Sequence, residues 1–208
     1  MVDVKPYQTL LELTDEEFRG QLVVENPATS SPGLAFLLAT IVEFGEEGGY
    51  TWRDYWADLR DNDVSVQVGW SEAYRGEFTV GGGGDRPVVV SYASSPPAEV
   101  IFADPPVTEA PSAVVESSCF RQIEFVGILA GTEHPAAAQA LIDFLLGVPL
   151  QEDIPLNMFV FPANENAAIP QEFLDHTVVP ESSRRLDSAS IEVNRQRWIE
   201  EWTEVVLR

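Results

Sequence analysis

Three short segments carry residue types that could hold a small ligand. Ser30-Ser31-Pro32-Gly33 follows the apolar run Leu22-Val23-Val24 and precedes Leu34, Phe36, Leu37, Leu38 and Ile41 at helical spacing. A serine before a proline is the pattern of a cap followed by a first helical turn. The N–H groups and partial positive charge of such a helix start suit a phosphate or another anion, and the same pattern serves equally as an ordinary cap. Trp70, Tyr74 and Tyr92 are rings beside loops that follow strand-like runs, where α/β folds place a ligand crevice. Aromatic faces stack on heterocycles and attract cations, and they also pack cores. Glu72, between Trp70 and Tyr74, is either a carboxylate for a cation or a cap for its own short helix.

Other chemistries find little support. There is no G-x-S-x-G turn for a serine nucleophile. No G-x-G-x-x-G follows a strand, and no phosphate-binding Walker motif occurs. His134 and His176 stand far apart and have no evident serine or acidic partner, and one cysteine with two distant histidines makes no metal set. Neither catalysis nor a cofactor is expected.

The elements that position these residues alternate between strand and helix. Strands are expected near 21–25, 64–68 and 86–92, and a longer one over Phe120–Leu129. Helices are expected at Thr14–Phe18 with a Thr14/Glu17 capping box, from Pro32, over Tyr50–Arg60, from Gly69, after Ser94-Ser95-Pro96, from His134-Pro135 and over Asp187–Val206. Gly81–Gly84 reads as a flexible hairpin or linker, Asp104–Pro111 as a surface loop, and Phe159–Pro162 as a short extended piece. The alternation argues for an α/β layer fold.

Composition bounds the partners. Among 208 residues, 45% hydrophobic and 10% aromatic, there is ample material for a core. The formal charge of −22 repels nucleic acid and anionic lipid and favours cations, although scattered acids also simply confer solubility. Lys5 is the only lysine, against eleven arginines, and Cys119 has no second cysteine to pair with. No apolar run is long enough to span a membrane, and no charged-then-apolar leader is visible at Met1.

Four segments together resemble one family. Glu25-Asn26-Pro27-Ala28-Thr29-Ser30-Ser31-Pro32-Gly33-Leu34, Gly69-Trp70-Ser71-Glu72-Ala73-Tyr74, Ser91-Tyr92-Ala93-Ser94-Ser95-Pro96 and Ile154-Pro155-Leu156-Asn157-Met158-Phe159-Val160-Phe161-Pro162 are similar, in this order, to landmarks of the thiamine-binding type of extracellular solute-binding protein that feeds ABC importers. The resemblance implies an α/β fold of the periplasmic-binding-protein type II kind, with two lobes closing on the ligand. It implies a non-enzymatic role in capturing thiamine or a thiamine phosphate for a permease, outside the cytoplasm, with possible lipid anchoring. It places Ser30, with Ser31 beside it, near the phosphate or hydroxyethyl end, lines the site with Trp70, and stacks Tyr92 on the ligand. Two positions depart from the pattern: Ala98 stands where a second tyrosine is expected, and Phe159 where a tryptophan is expected. Phenylalanine keeps a stacking face but has no indole N–H. A flat cationic heterocycle still fits. The rivals are another solute on the same fold, such as a ferric ion or a polyamine, and a stand-alone interaction domain with a vestigial crevice.

The same resemblance implies an incomplete pair of lobes. Residues 1–118 would form ligand-binding lobe two, and 119–208 the crossover and C-terminal part of lobe one. A missing N-terminal segment or a second chain would complete that lobe. On this reading Trp198, Ile199 and Trp202 form an apolar stripe short of partners, and the isolated chain binds ligand poorly.

Overall fold

The computed structural model describes residues 7–179 and 183–208; Lys5 lies outside them. The chain divides into two compact units. The first comprises the described residues up to Tyr92, together with Val115–Arg121 and the described residues from 183 onward; the second comprises Ala93–Val114 and Gln122–Val179.

The first unit is built on a parallel sheet of β1 (Leu22–Glu25), β2 (Ser65–Gln67) and β3 (Val88–Val89), in the order β2-β1-β3. The register pairs Val24 with Val66 and Glu25 with Gln67 on one side of β1, and Val23 with Val89 on the other. All four residues of β1 are buried, as a central parallel strand requires. Its alternating side chains divide between the faces. Leu22 and Val24 join a core with α1 (Ser31–Phe44), α2 (Trp52–Asp61) and the C-terminal helix, whereas Val23 is buried outside that cluster. The helix starts are set locally. Ser30 caps α1, its hydroxyl accepting from Gly33 N–H at 3.4 Å. Thr51 and Asp54 form a capping box on α2.

After β2 the chain makes a short turn, α3 (Trp70–Glu72), running into a π-helical turn at Ala73–Glu77, and then α4 (Thr79–Gly82). The glycine run expected to be a loose hairpin is instead close-packed. A Cβ on Gly81 would stand 2.3 Å from the Tyr74 carbonyl oxygen, and one on Gly82 2.0 Å from that of Arg75. Backbone meets backbone at Gly81, Gly82 and Gly84, and Gly83 takes a left-handed φ of 72°.

The second unit holds α5 (Ser95–Ile101), α6 (Pro135–Leu146), α7 (Val148–Met158) and α8 (Gln171–His176), with α5 and α8 packed together and Phe173 buried. Gln151 is buried on α7; it donates to the Leu145 carbonyl and accepts from the N–H groups of Ala163 and Asn164, so one amide fixes the ends of two neighbouring segments.

Several expectations are corrected. Residues 120–129 form no strand, because among the described residues they meet no sheet edge beyond one bridge between Phe120 and Arg184. Phe125 is 90% exposed and Leu129 82%. Thr14–Phe18 is two 3-10 turns, Leu11–Thr14 and Glu16–Phe18; Thr14 donates to the Leu11 carbonyl instead of capping a helix. By its contacts, the chain's end groups with the first unit.

That end is α9 (Ser188–Val206), capped by Asp187, which accepts from the Ser190 N–H. Its apolar stripe is not short of partners. Trp198, Ile199 and Trp202 are buried against α2, and Trp202 meets the Trp56 ring edge-on at 5.4 Å. Trp56 donates through its indole N–H to Thr40 of α1 at 3.0 Å, so the two rings link three helices. Arg53 and Arg197 each pair with both Glu46 and Glu201, strapping α9 to α2 and the loop before it. Replacing Trp202 with alanine should therefore destabilise the chain by about 3–5 kcal/mol, read as a fall in the urea midpoint at unchanged slope. A loss below about 1 kcal/mol would show that α9 is an accessory.

Candidate functional site

Each of the three segments singled out in the sequence begins just beyond the C-terminal end of a strand of the first unit. β1 leads into Asn26–Ser30 and the start of α1, β2 into Gly69 and Trp70, and β3 into Ser91 and Tyr92. Open parallel sheets bind ligands at these ends. The loops are tied together. Asn26 N–H donates to the Gln67 carbonyl at 2.8 Å, and the Thr29 hydroxyl donates to the Val68 carbonyl at 2.6 Å. The turn carrying Ser30 is thereby held beside the strand end that delivers Trp70. Ser30 is half-buried in its capping role and Ser31 is exposed.

The rings form one platform. Trp70 and Tyr74 stack with centroids 4.7 Å apart and planes 18° from parallel, and Tyr92 leans on Trp70 at 6.2 Å and 49°. Trp70 is locked further by its indole N–H, which donates to the Ser91 hydroxyl at 2.8 Å. The Arg75 guanidinium lies over the Trp70 ring, 5.9 Å from its centroid. Trp70 stays half-buried and Tyr92 is 38% exposed, so the platform has an open side, whereas Tyr74 is buried. Glu72 is exposed, and its carboxylate folds back over Gly69, where a Cβ would stand 3.1 Å from Oε2. Phe159 is placed in the second unit. It sits at a left-handed φ of 55° and packs with Phe102 and Phe173. Ala98 lies there too, within α5.

One residue of this region was not expected. Glu25 ends β1 with no exposed surface, and neither carboxylate oxygen has a hydrogen-bond partner. The start of α1 closes tightly over it; a Cβ on Gly33 would stand 2.4 Å from the Glu25 carbonyl oxygen and 3.1 Å from its Cβ. Burial pushes the Glu25 carboxyl up to about 8, because an unpaired carboxylate away from water is expensive. The signal in the sequence was an acid closing a run otherwise entirely apolar.

A sequence profile for the bacterial extracellular solute-binding proteins matches residues 4–180. The chain belongs to this family. It is 28% identical over 203 residues to the thiamine-binding periplasmic protein of Escherichia coli K12, a match covering 98% of this chain and 58% of that protein. It is 30% identical over 198 residues to the thiamine-binding periplasmic protein of Brucella suis, covering 95% and 56%. A solved periplasmic thiamin binding protein superposes with a TM-score of 0.81 at 27% identity, over 98% of this chain and 60% of that one. The α/β fold is thus that of the periplasmic binding proteins. The chain spans less than two thirds of the length of these relatives.

Glu25 makes a specific contribution to stability. Its native value lies above its ordinary one near 4.5, so the folded state holds the proton more tightly than the unfolded chain does. The resulting stabilisation is complete below about pH 4.5 and is lost as pH rises through about 8, at about 1.4 kcal/mol per unit. Glu25→Gln, neutral throughout, should match the wild type near pH 5 and exceed it by about 3–5 kcal/mol near pH 9 in denaturant unfolding. Equal pH dependence in the two proteins would contradict the buried, unpaired carboxyl.

Proposed function

We propose that this chain is the ligand-capturing part of the substrate-binding component of an ABC importer, and that its ligand is thiamine or a thiamine phosphate. The observation that carries the reading is the ring platform of Trp70, Tyr74 and Tyr92 at the C-terminal ends of a parallel sheet, beside the capped start of α1. A flat cationic heterocycle lies on Trp70 against Tyr92, held by stacking and by the attraction of a cation to ring faces. A phosphate or hydroxyl end lies toward Ser30 and Ser31, where helix N–H groups and partial positive charge receive it. Glu72 supplies a carboxylate at the rim. The names of the relatives support the ligand class. Phe159 is assigned to the ligand on resemblance alone.

The role is binding, with no catalytic step. The protein works in the periplasm or outside the cell and delivers its ligand to a permease; among the described residues, no helix is long and apolar enough to cross a membrane. The lobe to which residues 119–208 contribute is completed by a preceding segment or a second chain. Exposed apolar side chains in that stretch, including Phe125, Leu129 and Phe144, support this.

Thiamine added to the intact protein should quench tryptophan fluorescence saturably. Tyr92→Ala should weaken binding by about 1–3 kcal/mol. A polyamine has charge but no ring, so it should leave the emission of Trp70 unchanged. A saturable response to polyamine with none to millimolar thiamine would replace this reading with the rival solute.

A further inference from the structure

Glu25 is a buried acid near the platform that the ring geometry leaves unused. It is the last residue of the central strand, and the very next residues build the turn to Ser30. Its neighbour across the ladder is Gln67, two residues before Gly69 and three before Trp70. The π-helical turn that follows Trp70 packs against β1. The acid therefore stands at the strand end from which the cap segment departs and beside the strand end that leads to Trp70, with both oxygens buried and unpartnered. Buried carboxyls are ordinarily paired or hydrogen-bonded, so an orphan at a sheet's ligand-binding end needs a reason.

We propose that Glu25 is the acidic partner of a cationic ligand: a neutral carboxylic acid until the ligand binds, when it gives its proton to solvent and its carboxylate pairs with the ligand's positive charge. The proposal rests on the thiamine reading above and deepens it. The balance is simple: one O–H bond of Glu25 is broken, one proton goes to buffer, and one cation takes the proton's place. The rim acid Glu72 is exposed, where water screens it. A carboxyl shut off from water has no such screening and, as an acid held near 8 by burial, is protonated at neutral pH.

Other charges around β1 do not take this role. β2 and β3 carry none, and α1 carries only Glu43, near its far end, which pairs with Arg184. The π-helical turn carries Arg75, over the Trp70 ring, and Glu77, paired with Arg86 and accepting from Gln67. Arg86 itself donates to the Leu22 carbonyl, at the opposite end of β1. Tyr74, the remaining titratable group on that turn, is stacked under Trp70.

The test is the pH dependence of thiamine affinity in the intact protein, between pH 6 and 9, for wild type and Glu25→Gln. If the cation competes with a proton on Glu25, wild-type affinity rises about tenfold per pH unit up to about pH 8 and then levels. Calorimetry at pH 7 in two buffers of different ionisation enthalpy finds close to one proton released per ligand. Glu25→Gln, with no proton to lose and no charge to offer, binds at least about tenfold more weakly at pH 8, with a flat profile and no proton release. Thiamine binding with identical pH profiles in the two proteins overturns the assignment of Glu25 and leaves the thiamine reading standing. No thiamine binding by the wild type overturns both.

Discussion

A parallel sheet must be covered on both faces, and in a sheet of three short strands that requirement falls almost wholly on the middle one. Every residue of β1 is buried. One face is covered by α1, α2 and, from the other end of the chain, α9. The π-helical turn packed against β1 is held by a glycine run that lets two stretches of backbone touch. The covering turn carries Tyr74 and follows directly on α3, which carries Trp70, so the packing that buries the strand also bears on the placement of the rings. Site and core are consequences of one constraint.

Much of this was legible in the residues. Apolar and alternating runs marked all three strands, because their side chains have a period of two and a buried face. Serine-proline pairs marked the starts of α1 and α5, because a proline in the first turn, and at α1 the Ser30 cap, act locally. What could not be read was set by distant partners. Phe120–Leu129 has the composition of a strand, but a strand exists only where another edge pairs with it, and none is supplied by the described residues. The stripe of α9 was visible, but its pairing with Trp56, some 146 residues away, was not. Gly81–Gly84 reads as loose in sequence because glycine serves flexibility and close approach equally well. Of the site, Trp70 and Tyr92 come together, whereas Phe159 falls in the other unit. Glu25 closes an apolar run in the sequence, but its isolation from water and from partners is set by the fold.

The distribution of charge follows the same division. The scarce cations are spent on structure: Arg53, Arg197, Arg86 and Arg184 all sit in ion pairs that join segments of the first unit. The ring platform has Arg75 beside it, its guanidinium lying over Trp70. A cationic ring system approaching this end of the sheet meets aromatic faces, a net acidic chain and one acid hidden below. An anionic tail on the same molecule meets the start of a helix. The proposed ligand class combines these two demands in one molecule.

The most direct measurement is a crystal structure of the intact protein with thiamine bound. The account predicts the ligand at the C-terminal ends of β1, β2 and β3, with its ring plane against Trp70 and its hydroxyethyl or phosphate end toward Ser30. Ligand density elsewhere on the protein, with Trp70 still packed on Tyr74, Ser91, Tyr92 and Arg75 and free of ligand, would contradict it.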